Sequence, residues 1–201
     1  MSVLKDLKPE RVFYYFEEIT KIPHGSGNTK QISDYLVEFA KEHGLKYIQD
    51  ESNNVIIFKD ASKGYEKAPC VILQGHMDMV CEKTPESSHD FTKDPLELVV
   101  EGDYISAKDT TLGGDDGIAV AYALAILEDD SLCHPALEVL ITVDEEIGLL
   151  GAVALDTTPL KGRYLINLDS EEEGYLWVGC AGGLRTKSRI PVKYQEAEGT
   201  K

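Results

Sequence analysis

Apolar and polar positions along the chain follow two periods, which predict helices alternating with short strands. Residues 9–19 have apolar positions at helical spacing after a proline, and a second helix, with Asn28 or Thr29 as its N-cap, stops at Gly44. Short apolar runs predict strands over residues 45–49, 55–58, 71–74, 137–143 and 164–168, and a hairpin over residues 96–106. Alternation of this kind predicts an α/β fold.

The strand over residues 71–74 is followed at once by Gly75, His76 and, two residues later, Asp78. In α/β sheets, ligands bind beyond the carboxyl ends of the strands. An imidazole that binds a metal needs its other nitrogen held by a carboxylate or carbonyl group. The stretch therefore predicts a metal ligand with its orienting partner; taken alone, it also fits a strand end with a solvated histidine and a turn aspartate.

A glycine-rich loop, residues 110–117, leads directly into an apolar helix over residues 118–127. Asp115 and Asp116 stand at the N-terminus of that helix, where the helix dipole favours anions. One aspartate would serve as a cap, but two exceed what a cap requires. A phosphate-binding loop is disfavoured because carboxylates repel phosphate and the GxGxxG spacing is absent.

Two further strand ends are acidic. The strand over residues 137–143 ends in Asp144, Glu145 and Glu146, and the strand over residues 164–168 ends in Asp169. Adjacent carboxylates are costly to hold together unless a cation neutralises them, although a solvated acidic turn is the alternative for each end alone. Taken together, the strand ends and the helix start that carry metal-competent residues predict a cation site.

Composition narrows the classes of function. The chain has 42% hydrophobic and 28% charged residues, which is typical of a globular protein, and its net charge of −16 argues against a nucleic acid partner. The sequence shows neither a signal peptide nor an apolar run long enough to span a membrane, so we expect no membrane partner. Four cysteines without CxxC spacing predict reduced thiols in a cytoplasmic protein, and we expect His24 and His43 at the surface.

The motifs GHMD, LGGDDGI, DEEIGL and NLDS, in this order, resemble those of the co-catalytic zinc peptidases, the family of carboxypeptidase G, the aminoacylases and peptidase T. Residues 22–28 and 89–95 look like the aminoacyl-histidine dipeptidase subgroup in particular. The resemblance implies a three-layer α/β fold, with a mixed, largely parallel sheet flanked by helices. Residues 1–180 would form the N-terminal part of the catalytic domain, and residues 181–201 the start of a lid and dimerisation domain.

The same resemblance implies a site for two zinc ions, replaceable by Co²⁺ or Mn²⁺. The residues it assigns are His76 and Asp169 as ligands of the first zinc, Glu146 as a ligand of the second, Asp115 as the bridge between them, Asp78 as the residue that orients His76, and Glu145 as the general base. Asp116 would be a neighbour of the bridge rather than a ligand. The implied reaction is hydrolysis of dipeptides of the Xaa-His type in the cytoplasm, so the implied partner is a small peptide substrate. An aminoacylase, a tripeptidase and a non-catalytic interaction module remain the alternatives.

The sequence departs from the family pattern in two places. Lys108 and Asp109 stand where the subgroup has Asp-Gly, and we expect Asp109 to tolerate the left-handed backbone that a glycine there would favour. The family has a further zinc-ligand histidine near the end of a much longer chain, which has no counterpart up to Lys201. We therefore expect this chain to be a truncated form, inactive alone, of an enzyme that is a homodimer at full length.

Overall fold

A computed structural model of the chain describes residues 2–170, 172–180, 182–184 and 186–194. The chain divides into two compact units, residues 1–170 and residues 171–201. The helices are α1 (Glu10–Ile19), α2 (Lys30–Glu42), α3 (Gly114–Glu128) and α4 (Leu150–Ala154). The strands are β1 (Lys46–Gln49), β2 (Val55–Lys59), β3 (Val71–His76), β4 (Leu98–Glu101), β5 (Tyr104–Ala107), β6 (Leu137–Thr142) and β7 (Tyr164–Asn167). None of the helices in the described ranges is long and apolar enough to cross a membrane.

The main sheet of the first unit has five strands in the order β1-β2-β6-β3-β7. Strands β1, β2 and β6 pair antiparallel, whereas β3 pairs parallel with both β6 and β7. The predicted α/β class with a mixed sheet is thus confirmed. Because β6, β3 and β7 run in one direction, their carboxyl ends lie side by side at one edge of the sheet.

One face of this sheet holds the main core. Alternate residues of β2 point to opposite faces: Val55 and Ile57 join a core formed with α1, α2 and α3, while Ile56 lies on the other face. Helix α3 packs closely on α1, since a Cβ on Gly117 would lie 3.2 Å from the Ile19 side chain. The close packing of these two helices places the start of α3 near the end of β3.

Several boundaries differ from the predicted ones, and two of them affect the predicted metal site. Strand β3 continues through Gly75 to His76, because β6 runs parallel beside it and pairs its Ile141 and Thr142 with these two residues. Helix α3 begins at Gly114 rather than 118, although Asp115 and Asp116 keep non-helical backbone angles. The predicted hairpin forms as β4 and β5, a separate two-stranded sheet.

The second unit has local contacts of its own. The rings of Tyr175 and Trp177 stack with centroids 6.1 Å apart. The apolar-polar alternation of residues 184–194 predicts an exposed strand, but residues 186–194 form none, because a lone strand has no partner for its backbone groups. Residues 171, 181, 185 and 195–201 lie outside the described residues, and the assignment of 181–201 to a lid domain stays a prediction.

Candidate metal centre

The end of β3 carries the central residue of the site. His76 is 1% exposed, and its Nδ1 lies 3.0 Å from the Asp78 backbone oxygen and 3.4 Å from the Asp78 carboxylate. These acceptors hold the Nδ1 side of the ring. The Nε2 atom is therefore the one that faces the other acidic residues.

Carboxylates from three elements lie close to the His76 imidazole. Asp115, at the start of α3, places Oδ1 at 2.9 Å, and Asp169, which follows β7, places Oδ2 at 3.9 Å. Ligand atoms of His76, Asp115 and Glu146 lie within 4.8 Å of one another, as do those of a second group formed by His76, Asp116 and Asp169. All four predicted metal ligands thus come together around one imidazole.

Asp116 belongs to one of these groups, although the motif resemblance made it only a neighbour of the ligands. It is 2% exposed, and its Oδ2 accepts the backbone N–H of His76 at 3.2 Å. A Cβ on Gly75 would lie 2.6 Å from that oxygen, so the glycine permits this close approach. The sequence offered no signal to tell which of two adjacent aspartates turns toward His76, because both follow the same glycine-rich loop.

Glu145 and Glu146 are held in place through their backbone N–H groups, which the Asp78 carboxylate binds. The Glu145 N–H donates to Asp78 Oδ1 at 3.0 Å, and the Glu146 N–H to Asp78 Oδ2 at 3.4 Å. Glu145 belongs to neither ligand group, whereas Glu146 belongs to one. Asp78 therefore contacts both His76 and the acidic turn after β6, a link that the sequence did not reveal.

The electrostatics of the site reflect crowded carboxylates. Burial, reinforced by the charge of Asp169, raises the pKa of Asp116 to about 7. Burial also raises the pKa of Glu145 and of Glu146. For His76, burial lowers the pKa, but the hydrogen bond to Asp78 and the surrounding negative charges outweigh it and bring the pKa to about 10. Without a metal ion, a protonated His76 is thus a counter-charge for the carboxylates.

The donor set fits a divalent metal ion. Imidazole nitrogen and carboxylate oxygen are ligands that zinc takes, and the ring nitrogen opposite the carboxylates is already held by Asp78. A cation among the carboxylates would supply the positive charge that they otherwise draw from His76. The residues present therefore match the group that the motifs imply.

The prediction for His24 was wrong, whereas the predictions for His43 and Asp109 are confirmed. His24 is buried, at 3% exposure, rather than at the surface, because its ring is enclosed between the Ile22 carbonyl and Gly113; burial lowers its pKa. His43 is exposed, as expected. Asp109 has φ of 58°, so it adopts the left-handed conformation at the position where the subgroup has glycine.

Comparison with known proteins extends the likeness beyond the motifs. The chain is 44% identical over 190 residues to the cytosol non-specific dipeptidase of Escherichia coli, a match over 94% of the chain and 39% of the relative. The aminoacylhistidine dipeptidase of Vibrio alginolyticus has a similar structure, with a TM-score of 0.84 and 42% identity over 86% of this chain and 35% of that one. A tripeptidase from Staphylococcus aureus matches with a TM-score of 0.68 and 27% identity, over 81% of this chain and 43% of its own. No family model matches.

The chain spans about two-fifths of the length of these relatives. The match lies over their N-terminal part and includes the metal-competent residues described above. The motif resemblance to dipeptidases is therefore confirmed for that part.

Proposed function

From its match in sequence and fold to the N-terminal part of the aminoacyl-histidine dipeptidases, we propose that this chain carries most of the metal centre of a dipeptidase. Peptidase chemistry is supported by these relatives, which are dipeptidases and tripeptidases by name. The finer proposal is hydrolysis of Xaa-His dipeptides at a centre of two zinc ions. Its substrate would be a small peptide.

The observation that carries this proposal is the convergence of one buried imidazole with carboxylates from two other elements. His76 from β3, Asp115 from the start of α3 and Asp169 from the end of β7 are far apart in sequence, yet their ligand atoms lie within 4 Å of His76 Nε2. Solvated turns would have no reason to meet at one point. We assign His76 and Asp169 to the first zinc, Asp115 to the bridge and Glu146 to the second zinc.

Bound zinc would supply Lewis-acid polarisation of the scissile carbonyl and a lowered pKa for a nearby water molecule. The protein supplies the proton transfers and the orientation. Glu145 would take a proton from the attacking water and deliver it to the leaving amine. Asp78 would orient His76 through Nδ1 and hold the Glu145 backbone at the same time.

Metal binding by the 201-residue chain tests the ligand assignment. We expect about one zinc ion to stay bound after dialysis and a second to bind weakly, because the two candidate ligand groups share the single imidazole of His76. Asp115→Ala should lose zinc, since it removes the bridge, whereas Glu145→Gln should retain it. Two tightly bound zinc ions, or none at saturating zinc, would contradict the assignment.

The general base requires an assay of turnover. We would join residues 1–190 of this chain to the C-terminal part of the Escherichia coli dipeptidase, and follow cleavage of an aminoacyl-histidine dipeptide and, for comparison, a tripeptide. Glu145→Gln in this chimera should lower kcat by roughly 10²–10⁴-fold with zinc content unchanged. The isolated 201-residue chain should show negligible turnover.

Two results would refute the proposed roles. Full turnover by the Glu145→Gln chimera would exclude Glu145 as the base, and loss of zinc from that variant would make it a ligand. Faster cleavage of tripeptides than of dipeptides by the unmodified chimera would favour a tripeptidase instead.

A further inference from the structure

The loop of residues 24–27, between α1 and α2, lies against the segment that follows His76. The Ser26 N–H donates to the Met79 carbonyl and the Met79 N–H to the His24 carbonyl, each at 3.2 Å. A Cβ on Gly25 would lie 2.2 Å from the sulfur of Cys81, so a larger residue there would displace the Cys81 side chain. The backbone of Ser26 is therefore fixed relative to Asp78.

The Ser26 side chain uses that position to contact Asp78. Its hydroxyl donates to Asp78 Oδ2 at 2.8 Å, on the same carboxylate that accepts the Glu145 N–H and faces His76 Nδ1. Asp78 is 1% exposed. Burial acts to raise the pKa of Asp78, but the hydrogen bonds from His76, Glu145 and Ser26 together lower it. The carboxylate thus stays charged and is held from several directions.

A second contact from the same loop reaches the acidic turn. The Gly27 N–H donates to Asp144 Oδ1 at 2.7 Å, and Asp144 directly precedes Glu145. Asp144 has φ of 54°, a backbone conformation that a non-glycine residue needs neighbouring contacts to hold. Consecutive residues of one loop therefore contact Asp78 and the turn that carries the proposed base.

We propose that Ser26 is a positioning residue, whose hydroxyl fixes the Asp78 carboxylate and, through it, both the His76 ring and the Glu145 backbone. The inference rests on the metal centre proposed above, but it concerns the shape of that centre before metal binds. Removing the hydroxyl would leave Asp78 Oδ2 with only the long, 3.4 Å hydrogen bond from the Glu146 N–H, so the carboxylate would be held less firmly. His76 and Glu145 would then lose a common support.

The test compares Ser26→Ala with Ser26→Thr in the 201-residue chain. Ser26 is half-buried. For Ser26→Ala we expect about tenfold weaker zinc binding in competition with a chelator, at the lower end of the range for supports of metal ligands. Hydrogen exchange of the Glu145 amide in the metal-free chain should become faster. Ser26→Thr keeps a hydroxyl and should restore both values to near those of the unmodified chain.

Ser33→Ala is the matched control for a purely structural loss. The Ser33 hydroxyl is buried and donates to the Asn53 carbonyl at 2.7 Å, away from the proposed ligands. This variant should lower the free energy of unfolding without changing zinc affinity or Glu145 exchange.

The outcomes separate this inference from the proposed function. Zinc affinity and Glu145 exchange in Ser26→Ala equal to those of the unmodified chain would overturn the positioning role while leaving the metal centre intact. Equal losses in Ser26→Ala and Ser33→Ala would overturn it as well, since general destabilisation would explain both. If the unmodified chain bound no zinc, the proposed function would fail, and Glu145 exchange alone would decide the role of Ser26.

Discussion

Gly75 is the residue at which fold and site depend most directly on each other. It stands in β3 just before His76, with the start of α3 packed against it. In Gly75→Ala, the added Cβ would lie 2.6 Å from Asp116 Oδ2 and 2.7 Å from the Ala119 Cβ, distances that real Cβ atoms essentially never show. Because Ala119 lies within the helix, a side-chain rotation cannot relieve both contacts, and α3 must move.

The size of the effect follows from these distances. To reach even 3.0 Å, the Asp116 carboxylate must retreat by about 0.4 Å, which stretches its 3.2 Å hydrogen bond from the His76 N–H to about 3.6 Å, beyond hydrogen-bonding range. Overpacking of this kind costs about 1–3 kcal/mol. For a unit of this size, that free energy corresponds to a fall in Tm of about 2–12 °C. Zinc affinity should fall by roughly tenfold or more, because His76 loses a support.

Thermal unfolding of the metal-free chain and a zinc titration would measure the two effects. Gly183→Ala is the control, since a Cβ there would meet nothing within 4 Å and its φ is not positive. An unchanged Tm for Gly75→Ala would show that α3 does not pack on β3 as described. A lower Tm with unchanged zinc affinity would refute the argument that Asp116 supports His76.

Two other features lead to predictions. Burial acts to raise the pKa of Glu17, but hydrogen bonds from residues 2–4 bring that pKa below the ordinary 4.5. Glu17→Gln should therefore lower the free energy of unfolding by about 1–3 kcal/mol at pH 7. The stabilising effect of the charge is present above pH 4.5 and is lost as the pH falls through the lower pKa of the folded state. Free energies of unfolding measured in urea should therefore become equal for the two proteins in acid. A difference that stayed constant with pH would contradict this origin. Strand β7 is an edge strand with exposed apolar side chains, so we expect the chain to self-associate. Sedimentation measures this, and Leu165→Lys should weaken the association. A monomer at all concentrations would contradict the prediction.

The local pattern was sufficient for most elements. Apolar spacing placed α1 and α2 within a residue or two of their observed bounds, and Gly44, with φ of 64°, ends α2 as predicted. These features are readable because helical and strand periods involve neighbours in sequence. The ends of strands are equally local, which is why His76 and Asp169 could be chosen as candidates before any distance was known.

Other features depended on residues distant in sequence. The extension of β3 through Gly75 to His76 exists because β6 pairs with it, and the burial of His24 exists because the loop before α2 is covered by the start of α3. Neither leaves a mark in the local pattern. The contacts of Asp116 with the His76 backbone and of Ser26 with Asp78 were not predicted for the same reason: each joins residues 40 or more positions apart.

The sequence by itself determined which segments form helices and strands and which of their ends carry imidazole or carboxylate groups. Only the tertiary structure decided which of those groups meet, that Asp116 approaches the His76 backbone, and that Asp78 joins His76 to the acidic turn. The physical reason is that periodicity acts over a few residues, whereas these contacts depend on the register of β3 against β6 and on the packing of α3 against β3. That register and packing are established only when the apolar faces of all these segments are buried together.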